Sequence, residues 1–402
     1  MLELLAAIAS LAQIPTQASI SEAVLVANSE GRNRQIQPVV KYSGDIALES
    51  ESSAQKITAD NANFNYSGRV NWQDPQAPAF SFPGRVVEFR FTGTSLKLEL
   101  SEDNWGDGNY LDIYLDGNPN PKTIELKPGG SQPIIYDVAE GLENKVHQAV
   151  IVKRNDYITG EFNFHGIIID GQLQSANPNS PRKIEVYGDS ISAGAVVEYE
   201  ATGVQDPEGN NNYLSNAYYS YASILARNYD AELSLVAQSG ASLMDGFGFW
   251  HHGTGAESFY DKLKPLKDAA EWDFSNYHPD LVIIALGQND SGSIRLGRDV
   301  SAETWKKHYK QLIANLRAKY PDTYFIGMFP NMYHDRAWDN YIIEAIAEYR
   351  EEYNDDRVFS LIHEQVTPGH PRISEQQQMS DTLTEFIDTT LVENGFNWNV
   401  AE

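Results

Sequence analysis

The sequence predicts an α/β domain with a parallel sheet covered on both faces, preceded by an all-β sandwich. Three observations carry that reading. Short apolar-alternating runs with Gly and Pro turns fill residues from about 61 to 170; strand-like and helical runs alternate from 183 onward; and residues 171–182, with two prolines and no periodicity, read as a linker between them.

Taken in order, the chain of 402 residues is long enough for two to three domains, and its 41% hydrophobic content suffices for ordinary cores. Leu4 to Ala12 is an apolar run followed by small residues at Ala18 and Ser19. A segment this short does not span a bilayer; with Glu3 where an export signal carries basic residues, 1–19 is compatible with either a signal or a plain helix. Residues 20–58 are polar and weakly patterned and are assigned to no element. Within 60–170, Val87, Phe89 and Phe91, then Leu96, Leu98 and Leu100, alternate with polar residues and meet at Thr92-Gly93-Thr94-Ser95, the pattern of a hairpin. Tyr110–Leu115 ends in the turn pair Asp116-Gly117, and further strands are expected at Thr123–Leu126, Ile134–Val138, Gln148–Lys153 and Phe162–Ile169.

In the rear domain, 183–395, strands are expected at Lys183–Tyr187, Leu233–Ala237, Leu281–Leu286, Tyr324–Phe329 and Val358–Leu361. Helices are expected at Ala217–Tyr229, Ala302–Lys319, Asp339–Tyr353 and Glu375–Glu393, the last opened by a capping box of Ser374 and Gln377.

Composition narrows the partners. Thirty Lys and Arg against fifty-six Asp and Glu give a net charge of −26, which repels nucleic acid and anionic membranes but not a neutral polysaccharide. The chain has no cysteine, which excludes disulfides, thiolate metal sites and a Cys nucleophile.

Ligands of open parallel sheets bind beyond the carboxyl ends of the strands. Four such ends supply Gly188-Asp189-Ser190, Gln238-Ser239-Gly240, Gly287-Gln288-Asn289-Asp290 and a loop with His370. Each alone is an ordinary turn. Together they offer a hydroxyl nucleophile, a base of suitable pKa and three donors for an oxyanion, namely the N–H groups of Ser190 and Gly240 and the Asn289 amide, which are the requirements of acyl transfer. Pro371 disfavours helix at His370. His251-His252 sit in a Gly-rich segment, Gly246 to Gly255, with Phe247, Phe249 and Trp250; they lack a third ligand for a metal, and a mobile, sugar-facing loop is the other reading. Asp103, Asp107 and Asp112 do not have the spacing of a calcium loop and read as a solvated connection. Trp105, Trp250 and Trp272 are candidates for stacking on sugar rings, Trp250 foremost.

These blocks resemble those of the SGNH, or GDSL-like, hydrolases over residues 183–395. In that resemblance Ser190 is the nucleophile, Gly240 the second-block glycine, Asn289 the third-block amide and His370 the base, with Asp189 and Asp290 as supporting residues. No Gly-x-Ser-x-Gly surrounds Ser190, so the α/β-hydrolase elbow does not apply. Pro83-Gly84, the Phe89–Leu100 segment, Leu115-Asp116-Gly117 and Gly141-Leu142 with His147 are similar to the jelly-roll domain of carbohydrate esterase family two, whose members remove acetyl groups from plant or algal polysaccharides. The resemblance implies a secreted or periplasmic Ser-His esterase acting on an acetylated carbohydrate without metal or organic cofactor. An SGNH esterase for another acyl group and a non-catalytic glycan-binding protein are the alternatives. One departure stands out: positions 367 and 368, where many SGNH enzymes carry an Asp, are Thr367 and Pro368. His370 then lacks the usual carboxylate unless Glu364 or a distant acid reaches it; the resemblance also covers enzymes that work with a Ser-His dyad, a backbone carbonyl orienting the ring.

Overall fold

A computed structural model of the protein describes residues 25–27, 33–35, 54–103, 108–128 and 130–399. The signal-like run at 1–19, most of 20–58, Trp105 and Asp107 lie outside the described residues. Leu25–Ala27 and Asn33–Gln35 pair antiparallel in a unit of their own, ending at Tyr42; the rest belongs to a second unit, 43–402.

The front half folds as two antiparallel sheets around one apolar core. One sheet orders Gly130–Ala139, Leu96–Asp103, Glu161–Ile169 and Gln55–Thr58; the other orders Leu173–Gln174, Val86–Gly93, Lys145–Lys153, Tyr110–Leu115 and Lys122–Glu125. The two strands expected to form a hairpin therefore belong to different sheets. Val87, Phe89 and Phe91 face Leu96, Leu98 and Leu100 across the core, all of them buried. Alternation identifies the buried face of a strand and says nothing about its hydrogen-bonded neighbour. The corner between them is held by Asp170, whose carboxylate accepts from Thr94 N (2.7 Å) and Ser95 N (3.0 Å), while Gly93 takes φ +128°. Within the stretch read as a linker, Leu173–Gln174 adds a short strand to the second sheet.

The rear half is a five-stranded parallel sheet: Glu232–Ala237, Lys183–Gly188, Leu281–Ala285, Tyr324–Phe329, Val358–Ile362, in that spatial order. Its strands are buried on both faces, as the continuous apolar runs require. Val282 and Ile284 point to one face, covered by Ala302–Lys319 and Ala337–Tyr353 through Trp305, Tyr309, Leu312, Trp338 and Ile342; Leu281 and Ile283 point to the other, covered by Tyr221–Asn228 and Ile373–Phe386 through Leu225, Met379 and Leu383. Numbered along the chain, the order is 2-1-3-4-5. The direction of winding reverses between the first and third strands, where ligands of such sheets gather.

Three helices start differently from expectation, the one expected from Asp339 beginning at Ala337. Ser220 divides the Ala217–Tyr229 run into a 3₁₀ turn and a helix, its Oγ accepting from Ser223 N. The last helix begins at Ile373 rather than Glu375, with Arg372 as its cap. Glu375, not Gln377, reaches back to the cap N–H (2.7 Å), so Ser374 sits inside the first turn.

The sandwich and the parallel sheet are joined by a buried ion pair and by buried hydrogen bonds. Arg69, fully buried, donates to Glu185 Oε1 (3.1 Å), Tyr187 Oη (2.7 Å) and the Tyr260 carbonyl (2.6 Å). Glu185 also accepts from Ser234, Tyr187 and Tyr320. Asp112, expected to be solvated, is buried in a second junction: it accepts from Thr123 Oγ1 (2.6 Å) and from Asn216 Nδ2 (2.8 Å) in the rear half. A buried charge stripped of its partner is strongly destabilising, so Arg69→Met, which strands Glu185, is expected to cost about 3–5 kcal/mol in urea unfolding. A loss below about 1 kcal/mol would contradict a stabilising role for this pair.

Candidate active site

Ser190 follows directly on the first strand of the parallel sheet. Gly188 ends that strand, where an added Cβ would stand 2.0 Å from Ser192 Oγ; the tight turn into Ser190 needs a residue with no side chain. Asp189 beside it is buried and caps the turn, its Oδ1 accepting from Ile191 N (2.9 Å). Burial pushes the Asp189 carboxyl up to about 7, with the nearby charge of Asp290 adding to the rise.

Gly240, after the second strand, has φ +77°. Its carbonyl accepts from Phe249 N (2.8 Å) and Trp250 N (3.0 Å), and neither its N–H nor that of Ser190 donates to another group among the described residues. After the third strand, Asn289 Nδ2 donates to the Ala241 carbonyl (2.8 Å) and, more weakly, to Asp189 Oδ2 (3.3 Å). Asp290 is buried and accepts from Leu243 N (2.8 Å) and Met244 N (3.3 Å). Burial pushes its carboxyl up to about 6 despite those bonds. The third block thus pins the loop that follows the second.

His370 closes the arrangement. Its Nε2 lies 2.8 Å from Ser190 Oγ, and its Nδ1 lies 2.6 Å from Asp206 Oδ2. Of the alternatives left open by the sequence, the ring is oriented by a distant acid, Asp206, rather than by Glu364 or a backbone carbonyl. Asp206 lies 164 residues before His370 in the chain, and its Oδ1 also accepts from His370 N (3.0 Å) and from Arg372 Nη1 (2.9 Å). Burial alone would raise the Asp206 carboxyl, but its bonds to His370 and Arg372 outweigh this and hold it well below the usual carboxylate range. A carboxylate at Nδ1 fixes the proton there and leaves Nε2 to accept from the serine hydroxyl.

Arg372 organises the loop that delivers Asp206. It is buried, and besides Asp206 it donates to the carbonyls of His370 (2.5 Å), Ala201 (3.2 Å) and Gln205 (3.4 Å). Glu375 accepts from Gly203 N (2.9 Å). The sandwich holds the same region from the other side: Asn155 donates to the Asn212 carbonyl (2.7 Å), Arg154 pairs with Glu198, and Asp156 Oδ2 accepts from Ser239 N (2.6 Å), next to Gly240.

Ser190, Gly240, Asn289 and His370 line one cleft of about 310 Å³ together with Ala195, Phe249, Gln288, Arg295 and Met332. Trp250 is not among them. It is 9% exposed, packs in the core and donates its indole N–H to the Pro265 carbonyl (2.7 Å); its neighbour Phe249, 54% exposed, faces the cleft. Trp272 is half-buried against the same core. Among the described residues no three His, Cys, Asp or Glu side chains converge as metal ligands would. Arg295 has no counterpart in the sequence reading, which allowed a distant acid without naming Asp206 and placed Phe249 in a sugar-facing loop without preferring it to Trp250. An Asp-Pro pair in a loop signals a turn, and an aromatic one place from a tryptophan has no mark to prefer it.

Two family descriptions match in succession: Carbohydrate esterase 2 N-terminal over residues 66–178, and the GDSL-like Lipase/Acylhydrolase family over 186–376. Cellulase/esterase CelE of Acetivibrio thermocellus is 29% identical over 84% of this chain and 41% of its own length, so the chain spans about two-fifths of that relative. An acetylxylan esterase / glucomannan deacetylase of Cellvibrio japonicus is 26% identical over 83% of this chain and 90% of its own. The structure of a family two carbohydrate esterase from Clostridium thermocellum in complex with cellohexaose superposes with a TM-score of 0.72 at 27% identity, covering 82% of this chain and 99% of that one.

The geometry has a direct spectroscopic consequence. A proton on His370 Nδ1 shared with Asp206 at this separation is expected to give a proton resonance far downfield of the amide region. The resonance should vanish in Asp206→Asn and persist in Ser190→Ala. Its persistence in Asp206→Asn would show that another group orients the ring.

Proposed function

We propose that this chain, which belongs to the GDSL-like hydrolases and is built like the family two carbohydrate esterases, removes O-acetyl groups from a polysaccharide or oligosaccharide. The observation that carries the reading is the continuous line from Asp206 through His370 to Ser190, with bonds of 2.6 and 2.8 Å, in a cleft that Gly240 and Asn289 also line.

Ser190 Oγ attacks the acetyl carbonyl as His370 Nε2 takes its proton. Asp206 stabilises the imidazolium that forms. The negative charge on the carbonyl oxygen falls to the N–H groups of Ser190 and Gly240 and to the Asn289 amide, whose long contact with Asp189 is the bond an oxyanion would displace. His370 then protonates the departing sugar oxygen, leaving acetyl-Ser190, and a water activated by the same imidazole releases acetate. Asp189 and Asp290 act as positioning residues behind this set. A cleft at the small end of the range for ligand pockets suits a short acyl group.

We further assign the sandwich domain, expected at 60–170, to 55–174, the linker to 175–182 and the hydrolase domain to 183–395. The sandwich serves as a brace for the site loops through Arg154, Asn155 and Asp156. Polymeric glycans are met outside the cytoplasm, and this supports work in the secreted or periplasmic space.

Acetate release from acetylated glycans, with an aryl acetate as control, tests the reading. Ser190→Ala is expected to abolish turnover with the fold retained, and full activity in that variant would reject the mechanism. Asn289→Ala should lower kcat by about 10²–10³, as removal of one oxyanion donor does. Asp206→Asn should lower kcat by up to about 10⁴ by selecting the wrong tautomer, whereas a dyad would be indifferent to it. Acetyl esters should be turned over and octanoyl esters rejected; the reverse order would favour an esterase for longer acyl chains.

A further inference from the structure

The wall of the cleft differs in charge from the rest of the molecule. Fifty-six acidic side chains outnumber thirty basic ones over the chain, yet among the described residues no carboxylate lines the cleft; its permanently charged lining residue is Arg295. Arg295 Nε donates to the Gly292 carbonyl (3.4 Å), and among the described residues no Asp or Glu pairs with its guanidinium. A Cβ built on Gly292 would stand 3.6 Å from Arg295 Nη2 and 3.6 Å from Phe249 Cε2. The bare backbone of Gly292 is thus bordered by a cation on one side and an exposed aromatic ring on the other. The two segments that carry them are fastened together: Arg298 Nη1 donates to the Gly248 carbonyl (2.7 Å), and Gly248 N donates to Ser293 Oγ (2.7 Å). In a strongly acidic protein, leaving an arginine unpaired at the mouth of the cleft gives a local attraction for anions that the overall charge opposes.

We propose that the enzyme's substrate is an acetylated acidic glycan, whose anionic group pairs with Arg295 while a sugar ring lies against Phe249. The inference rests on the esterase reading and adds to it the charge class of the substrate. A uronate carboxylate and a sulfate ester present the same chemistry to a guanidinium, which receives either in a two-pronged hydrogen bond.

The test uses the full chain and three acetylated oligosaccharides: an oligouronate, its carboxyl-reduced counterpart, and a sulfated neutral oligosaccharide. At low salt the wild type is expected to show kcat/KM about tenfold or more higher on the oligouronate or the sulfated substrate than on the carboxyl-reduced one, mostly through KM, with the difference shrinking as salt is added. Which anionic substrate leads identifies the source of the charge. The ratio should fall to about one in Arg295→Gln, drop below one in Arg295→Glu, and be partly kept in Arg295→Lys. Equal rates on all three substrates in the wild type, or a preference that survives Arg295→Gln, would overturn the proposal. Should no acetate be released from any of them or from an aryl acetate, the esterase reading fails by itself. Calorimetric titration of Ser190→Ala with the deacetylated oligouronate, its reduced counterpart and the deacetylated sulfated oligosaccharide then still decides the anion site. Tighter binding of either anionic ligand, lost on adding Arg295→Gln, supports it, and equal binding of all three refutes it.

Discussion

The site depends on one carboxylate held by three donors from two residues, His370 and Arg372. Asp206 receives His370 Nδ1 and the His370 N–H from one side and Arg372 from another, so both of its oxygens are committed. The segment that brings it there has little regular structure beyond the 3₁₀ turn at Asn212–Leu214. Fixing such a loop costs conformational entropy at every residue, and that cost is offset by side-chain bonds to its backbone rather than by a strand ladder or helix. Arg372 and Glu375, at the cap of the last helix, supply several of those bonds. The same helix start therefore sets the position of both His370 and its acid.

The sandwich contributes in the same currency of loop positioning. Lys145–Lys153 ends in Arg154-Asn155-Asp156, three consecutive polar residues that bind Glu198, the Asn212 carbonyl and Ser239 N of the rear half. One strand end thus steadies both the acid-bearing segment and the turn of Gly240. Together with the buried Arg69–Glu185 pair, it makes the front half part of the framework around the cleft rather than an appendage.

The fold was readable in the sequence wherever a short-range pattern determines it. Ala302–Lys319 and Tyr324–Phe329 run as their periodicity predicts, and the four strand-end motifs meet because the parallel sheet brings its carboxyl ends to one edge. Long-range choices were not readable. The strands ending at Gly93 and starting at Leu96 show their buried faces but not their partners, and they went to different sheets. Asp206 is joined to His370 by the path of a loop, which leaves no spacing to detect. Trp250 looked the better sugar platform by residue type, but its indole found a partner in the core and the neighbouring Phe249 was turned outward.

The central claim is that Ser190, activated through His370 and Asp206, carries the acetyl group between its donor and water. Rapid quenching of the enzyme during turnover of an activated acetyl ester, followed by mass spectrometry of its peptides, tests this most directly. The account predicts an acetyl group on the peptide containing Ser190, formed before steady state and absent from His370→Ala. Steady acetate release with no acetylated Ser190 at any time, or with the label on another residue, would contradict it.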